Sequence, residues 1–262
     1  PGLVRFHQGP GSMPEMEDRL ATVNAFLTAL EKAKQVEITY FSMELPFFHI
    51  LQVPELFAFK QQYWHSMLHP ETALPLIRLD NAPATALHLD IVNRYLRLPS
   101  TEIIYESALH TTMMQILYFL ESGHFAEPKD ALRLFDSLKA LATHLKEQAV
   151  LGRKFKFGTA APTDGPNGTY RLFLNEMVYS QNIICTQADG HLQVFLEYNV
   201  VNFLRTDDPA FCGETVTSLQ TIQSKSIPIS TVSERERSKF FHRLQASIDR
   251  MRHRAEMLIA GE

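Results

Sequence analysis

The chain has 262 residues and a formal net charge of −4, with 45% hydrophobic and 21% charged residues. This composition is typical of a folded globular protein and excludes a chain that is disordered throughout. The negative charge argues against a general nucleic-acid binder. The two cysteines are too few for a disulfide framework, so we expect a reducing compartment such as the cytoplasm.

The first residues and the longest apolar runs narrow the class of protein further. Residues 1–12 end in Gly-Pro-Gly-Ser before Met13, which is typical of an expression-tag remnant, so the fold argument begins at Met13. No apolar run approaches the roughly 20 residues that a transmembrane helix needs. The sequence therefore predicts a protein without a transmembrane segment.

Residues 13–151 predict a mainly helical region with one or two short strands. Apolar residues recur at helical spacing in four segments and favour amphipathic helices. β-branched and aromatic residues at 36–43 predict a strand, and residues 74–79 predict a second one. The stretch 45–67 stays ambiguous, because prolines interrupt it and Pro54 can open a helix. The four helical segments are residues 16–35, 83–98, 101–123 and 128–151.

After Gly152 the pattern changes to short alternating runs. Residues 152–262 predict an antiparallel meander of five strands closed by a long C-terminal helix, because consecutive strands with short connections pair antiparallel. The whole chain is therefore predicted to be α+β, as two domains or as one continuous domain. The predicted strands are residues 154–157, 169–178, both runs of 182–198, and 215–222, with loops at 158–168 and 203–213.

The clearest local signal is a hairpin at residues 182–198, where Asp189 and Gly190 join two apolar runs. Asp-Gly favours a type I′ turn, which needs positive φ at both positions. With this turn, Cys185 faces Val194 and the side chains alternate between two faces. Cys185 lies on the more apolar face, which we expect to be the core face, and it is interpreted as a small core residue.

The C-terminal helix is predicted from its cap and its apolar stripe. Ser233 and Glu236 stand at the spacing of a capping box, and apolar residues then recur at intervals of three and four. The stripe either docks on the protein's own sheet or forms a seam for a dimer or a protein partner. The residues that would bind such a partner are Phe241, Leu244, Ile248 and Met251.

Cys212 is the better of the two cysteines as a candidate catalytic nucleophile. Gly213 follows it and would allow the close backbone approach of an oxyanion hole, and His242 could serve as its base. No coherent catalytic set accompanies these residues in the sequence. The balance therefore leans away from an enzyme.

His65 and His69 stand four residues apart, which places two imidazoles on one helix face and makes them candidate metal ligands. A metalloprotease pattern also needs a glutamate directly after the first histidine, and Ser66 is there instead. The alternative is a helix end whose histidines form local hydrogen bonds. No glycine-rich phosphate loop or other cofactor motif is present, and we expect no cofactor.

Arg153, Lys154 and Lys156 form a candidate anion-binding group beside the loop at 158–168. A meander closed by a C-terminal helix, with basic residues near its first loop, is similar in layout to pleckstrin-homology domains, although that fold uses seven strands. The resemblance implies binding of anionic lipids. The alternative is a solvated basic rim.

Function is predicted mainly from what the sequence lacks. Without a coherent catalytic set, we expect a non-enzymatic protein-binding, adaptor or regulatory module that uses the loop at 158–168 and the C-terminal helix. A protein partner or self-association is expected, and nucleic acid is not. Two alternatives stay open: an enzyme whose site is assembled from scattered histidines and cysteines, and a module that binds anionic lipids.

Overall fold

A computed structural model describes residues 4–5, 13–42, 45–68, 76–79, 86–151, 154–158, 182–199, 202–226 and 228–261. The helices in these residues are α1 (Met13–Lys32), α2 (Phe47–Ile50), α3 (Pro54–Leu68), α4 (Ala86–Arg97), α5 (Glu106–Glu121), α6 (Asp130–Val150), α7 (Pro209–Lys225) and α8 (Glu234–Ala260). The strands are β1 (Val4–Arg5), β2 (Val36–Ser42), β3 (Ser100–Tyr105), β4 (Lys154–Gly158), β5 (Asn182–Ala188), β6 (His191–Asn199) and β7 (Asn202–Thr206).

One mixed sheet runs through the middle of the described residues, with strand order β1-β7-β6-β5-β2-β3-β4. The α+β class is confirmed, but the prediction of an antiparallel sheet formed only by the C-terminal part is wrong. β2, β3 and β4 pair in parallel, because the helices between them return the chain to the same end of the sheet. β5 then pairs antiparallel with β2, so strands from both sides of residue 151 share one sheet.

β3 replaces the start of the helix predicted at 101–123. Ile103 and Ile104 favour an extended strand, and both side chains are buried, one on each face of the sheet. The helix begins only at Glu106, as α5. Apolar residues recur at helical spacing inside α5. Ile104 fits the same spacing, so the sequence pattern extended the predicted helix back into β3.

β7 and the start of α7 replace the loop predicted at 203–213, and α7 also replaces the strand predicted at 215–222. Asp208 caps this helix by accepting a hydrogen bond from the N–H of Phe211, and Pro209 occupies its first turn. The hydroxyls of Thr215 and Thr217 each donate to the carbonyl four residues earlier, so these β-branched residues are accommodated in a helix. Cys212 therefore lies in a helix, not in a loop.

β4 forms from the predicted strand at 154–157, but it pairs with β3 rather than opening a meander with β5. Residues 76–79 contribute an isolated bridge between Ile77 and Phe125 instead of the strand predicted at 74–79. The strand predicted at 169–178 and the loop at 158–168 lie outside the described residues, apart from Gly158 at the end of β4.

The predicted hairpin register is confirmed: Cys185 pairs with Val194, and Ala188 pairs with His191. Asp189 has φ 48° and Gly190 has φ 83°, as a type I′ turn requires. The carboxylate of Asp189 also accepts the backbone N–H groups of Lys34 and Gln35 at 2.9 and 3.0 Å. These bonds attach the tip of the hairpin to the loop between α1 and β2.

Both faces of the sheet are buried, so the hairpin has two core faces rather than the one that was predicted. Ile184 points into the large core formed with α1 to α6 and α8. Cys185 points into a smaller core on the other face, which α7 covers with Cys212 and Leu219. The sheet therefore separates a multi-helix layer from a single helix.

α8 carries the predicted capping box between Ser233 and Glu236. The most extensive contacts of this helix are with α6 and α5. The layout consequently differs from a pleckstrin-homology domain, because the sheet is mixed and its C-terminal helix lies in the helical layer. Among the described residues, no helix is long and apolar enough to cross a membrane.

Candidate functional site

Glu102 is a wholly buried carboxylate in the middle of the sheet. It lies on β3 beside Tyr40 of β2, on the face that packs against the helical layer. An ionised carboxylate removed from water costs several kcal/mol, roughly, unless charged or hydrogen-bonding partners compensate it. The groups around Glu102 are therefore candidates for a functional site.

His49 of α2 supplies this compensation. Its Nε2 lies 2.7 Å from Oε2 of Glu102, and both side chains have no exposed area. Tyr40 contributes by accepting the N–H of Phe47 on its hydroxyl at 2.8 Å, which fixes the start of α2 over the sheet. The short helix thus holds its histidine directly above the carboxylate.

His144 of α6 extends the pair into a chain of three groups. Its Nε2 lies 3.0 Å from Nδ1 of His49, and its side chain is partly exposed. We call Glu102, His49 and His144 the buried relay. The relay links the sheet, α2 and α6, and only its His144 end reaches toward solvent.

The relay can pass a proton between its two histidines. With Glu102 ionised, Nε2 of His49 donates to the carboxylate, and Nδ1 of His49 either accepts from His144 or, in the cation, donates to it. Moving the shared proton from His49 to His144 transfers the positive charge by one imidazole. No side chain has to leave the core for this transfer.

Aromatic rings hold His49 in place. Phe48 and Tyr95 stack with ring centroids 3.8 Å apart, and the ring of Tyr95 meets His49 edge-on at 6.3 Å. Because such a packed surround admits few rotamers, the imidazole keeps its alignment with Glu102.

A cavity of about 690 Å³ opens beside the relay, at the amino ends of β2 and β3 and the carboxyl ends of α4 and α6. We call it the amino-end cavity. This volume lies within the range of about 300–1,000 Å³ that is usual for small-molecule sites. Its lining residues are Val36, Glu37, Ile38, Leu96, Leu98, Pro99, Ser100, Thr101, Gln148 and Leu151.

Ser100 connects the amino-end cavity to the relay. This residue lines the cavity, and its hydroxyl donates to Oε1 of Glu102 at 3.4 Å. Gln148, another lining residue, stands one helical turn after His144 on α6. A molecule in the cavity would therefore contact Ser100, which hydrogen-bonds the buried carboxylate, and Gln148, which shares a helix with His144.

The structure does not bring the predicted nucleophile and base together. Cys212 is fully buried in the smaller core under the sheet, whereas His242 is an exposed residue of α8 in the helical layer. Burial raises the pKa of the Cys212 thiol, and the neighbouring Asp207 and Asp208 raise it further. The Cys212 thiol itself lies 3.6 Å from the carbonyl of Thr206. This environment favours an inert thiol.

The histidines predicted as metal ligands fall where side chains are not described: His65 lies in α3, and His69 lies outside the described residues. In the part of the chain that the structure covers, no group of three or more His, Cys, Asp or Glu residues is placed to hold a metal.

The predicted partner residues of α8 face the interior of the same chain. Phe241 and Ile248 are buried in the large core, and Leu244 and Met251 pack against it. Two ion pairs flank the contact between α8 and the helices beside it. Arg252 pairs with Asp136 of α6, and Arg254 pairs with Glu121 of α5.

The predicted anion-binding group lies at an edge of the sheet. Lys154 and Lys156 stand on β4, in register with Thr101 and Ile103, and Arg153 lies outside the described residues.

The relay was missed at the level of sequence, although a signal was present. His49 interrupts the apolar run PFFHIL, and Glu102 interrupts STEIIY. A charged or titratable residue within an apolar run is seldom buried unless another polar or charged group pairs with it in the core. The sequence could not show that these two residues pair with each other.

The chain matches no protein-family model, no curated protein and no solved structure.

Proposed function

We propose that this protein is a non-enzymatic regulatory module that binds a small molecule in the amino-end cavity. The observation that carries the proposal is the cavity itself, of about 690 Å³, with six apolar lining residues and four polar ones. The lining combines apolar side chains with polar groups that can orient a bound molecule.

The position of the cavity suits regulation. Its walls come from β2, β3, α4 and α6, which are four separate elements of the sheet and the helical layer. A molecule that contacts all four stabilises their present arrangement over any arrangement in which they separate.

The exposed rim also favours a ligand. Leu151 is 77% exposed and lines the cavity, and Val150 beside it is 60% exposed. Isolated exposed leucines are ordinary on protein surfaces, but here apolar side chains form the edge of a cavity. A bound molecule would remove part of this apolar surface from water.

The relay favours binding over catalysis. Glu102 and His49 are wholly buried and face each other, so neither reaches a molecule in the cavity. A general acid or base must come within about 3 Å of the proton it transfers, directly or through one water. The two groups instead provide a rigid wall behind Ser100.

The test uses Nile red, an uncharged dye whose fluorescence rises in apolar surroundings, titrated into the full chain. We expect binding of one dye molecule. Thr101→Trp, which fills the cavity, and Leu151→Glu, which places a charge at its rim, should each weaken binding about tenfold or more, a loss of about 1.4 kcal/mol.

Tyr118→Glu is the matched control, because Tyr118 is 63% exposed on α5 and does not line the cavity. Binding should be unchanged in this variant. The proposal is wrong if Tyr118→Glu weakens the dye as much as the two cavity variants do, or if the folded wild-type chain binds no dye. Circular dichroism of each variant checks that it is folded.

A second candidate, an enzyme that uses acid–base chemistry, is favoured by the partly exposed His144 at the end of the relay. Its test is the fate of a bound molecule, followed by mass spectrometry. Conversion by the wild type and no conversion by a His144→Gln variant of equal affinity would support the enzyme. Recovery of the unchanged molecule from both proteins supports the binding module.

A further inference from the structure

We propose that the ligand of the amino-end cavity carries a protonated amine on an apolar body. This inference rests on the proposed function and adds the chemical class of the ligand. It follows from the polar groups of the lining, from the helix ends that meet there and from the buried carboxylate behind the wall.

The polar lining residues are rich in acceptors and carry negative charge. Glu37 is the one ionisable residue among the ten that line the described cavity, and it is exposed to solvent. Gln148, Ser100 and Thr101 add an amide and two hydroxyl oxygens. The amide and the hydroxyls can donate as well as accept, so the negative charge of Glu37 is what favours an ammonium group over a carboxylate.

Residues at the carboxyl ends of two helices line the cavity. α4 ends at Arg97 and is represented in the lining by Leu96 and Leu98, and α6 ends at Val150 and is represented by Gln148 and Leu151. The carboxyl end of a helix carries a partial negative charge of roughly half an elementary charge, which favours a cation within the last turn. Two such ends act here in the same direction.

Glu102 orients one of the polar lining groups from behind the wall. Its Oε1 is 3.4 Å from the Ser100 hydroxyl that lines the cavity. His49 lies against the other carboxylate oxygen, so Glu102 acts on the cavity through the Ser100 hydroxyl that it orients. Because this hydroxyl donates to Glu102, its lone pairs are left to accept from a ligand. The protonated amine is therefore placed at the Ser100 side of the cavity.

Apolar residues supply the rest of the site. Val36, Ile38, Leu96, Leu98, Pro99 and Leu151 account for six of the ten lining residues. They fit a hydrocarbon or aromatic body, which would lie toward the exposed Leu151.

Basic residues near the cavity oppose a cation and enter the test. Arg97 is exposed in the last turn of α4, and Lys146 is partly exposed on α6, but neither lines the cavity. Lys154 is the register partner of Thr101 on β4. A Lys154→Ala variant separates the effect of this lysine from the effect of the lining.

The experiment compares octylamine, octanol and octanoate, three probes with the same chain length and different charge, by calorimetry on the full chain at pH 7. Octylamine should bind most tightly, about tenfold more tightly than octanoate. Glu37→Gln should weaken octylamine and leave octanol unchanged. Lys154→Ala should preserve the order of the three probes.

Equal affinities, or tighter binding of octanoate, would overturn the inference. Octanoate that binds best in the wild type and loses this advantage in Lys154→Ala would identify an anion site instead. Nile red separates the two proposals. If the dye binds in the cavity and octylamine has no advantage, the amine class fails and the binding module stands. If the dye does not bind, the binding module fails, and the three titrations still decide the charge preference.

Discussion

The Nε2 atom of His49 lies 2.7 Å from Oε2 of Glu102, and neither side chain has any exposed area. This contact joins α2, a helix of four residues, to the central part of the sheet. A helix of this length has little stability of its own, so its position depends on the contacts that it makes. The pair therefore helps to hold α2 against the sheet, and it also lies behind the wall of the amino-end cavity.

The first prediction concerns this pair. His49→Leu should destabilise the protein by about 3–5 kcal/mol, because it removes the imidazole that compensates the wholly buried carboxylate of Glu102. Urea unfolding measures the change in the free energy of unfolding. His191→Leu is the matched control, since His191 is exposed at the hairpin, and should change stability by no more than about 0.5 kcal/mol.

A second replacement tests whether the buried carboxylate of Glu102 is the cause. Combining His49→Leu with Glu102→Gln removes the charge and should recover part of the lost stability. If the double variant is less stable than His49→Leu by the full effect of Glu102→Gln alone, the two residues do not interact energetically. The contact would then contribute packing and nothing more.

The second prediction compares two glycines that differ in backbone conformation. Gly190 has φ 83°, with open space around an added Cβ, so Gly190→Val should cost about 1–3 kcal/mol through backbone strain alone. Gly213 lies within α7, also with open space, so Gly213→Ala should stabilise by up to about 1 kcal/mol. Thermal unfolding of both variants checks this opposite sign. An unchanged melting temperature for Gly190→Val would contradict the type I′ turn.

The sequence predicted the elements whose signals are local. The Asp189-Gly190 turn determines the register of the hairpin through backbone geometry, and Ser233 with Glu236 marks the start of α8 within four residues. β3 and α7 were assigned wrongly because local signals competed. Ile103 and Ile104 precede a long helical repeat, and β-branched residues occur within α7.

The relay could not be predicted, because its members come from distant parts of the chain. His49 and Glu102 are separated by 53 positions, and His49 and His144 by 95. Each was visible as a polar residue in or beside apolar sequence, but their pairing depends on the parallel crossover that places α2 over β3. The amino-end cavity is likewise a product of tertiary packing, since its lining comes from four elements.

The third prediction concerns the pH dependence that Cys185 creates. Burial, with a smaller contribution from the nearby Cys212, raises the pKa of this thiol to about 12. In the unfolded chain the thiol titrates near its ordinary value of about 8.5. Between these values the folded protein holds the proton and the unfolded chain releases it, so stability should fall as pH rises through this window.

The slope due to this one thiol should approach about 1.4 kcal/mol per pH unit inside the window. Urea unfolding of the wild type and Cys185→Ala across pH 8 to 11 isolates it, because the variant lacks the group and shares the other alkaline titrations. Parallel curves for the two proteins would show that the thiol titrates equally in both states and that Cys185 is accessible to solvent in the native fold.

The fourth prediction separates an internal seam from a partner surface on α8. Ile248 has no exposed area and lies in the large core, so Ile248→Ala should destabilise the folded chain by about 2–5 kcal/mol. Arg250→Ala, at an exposed position two residues along the same helix, should change stability by no more than about 0.5 kcal/mol. Urea unfolding gives both values, and analytical ultracentrifugation gives the association state of each protein.

A stripe used for a partner would behave differently: Ile248→Ala would then change the association state while its stability stayed close to that of Arg250→Ala. Because α8 contributes Phe241 and Ile248 to the same core as the helices beneath it, we expect loss of stability without a change in association.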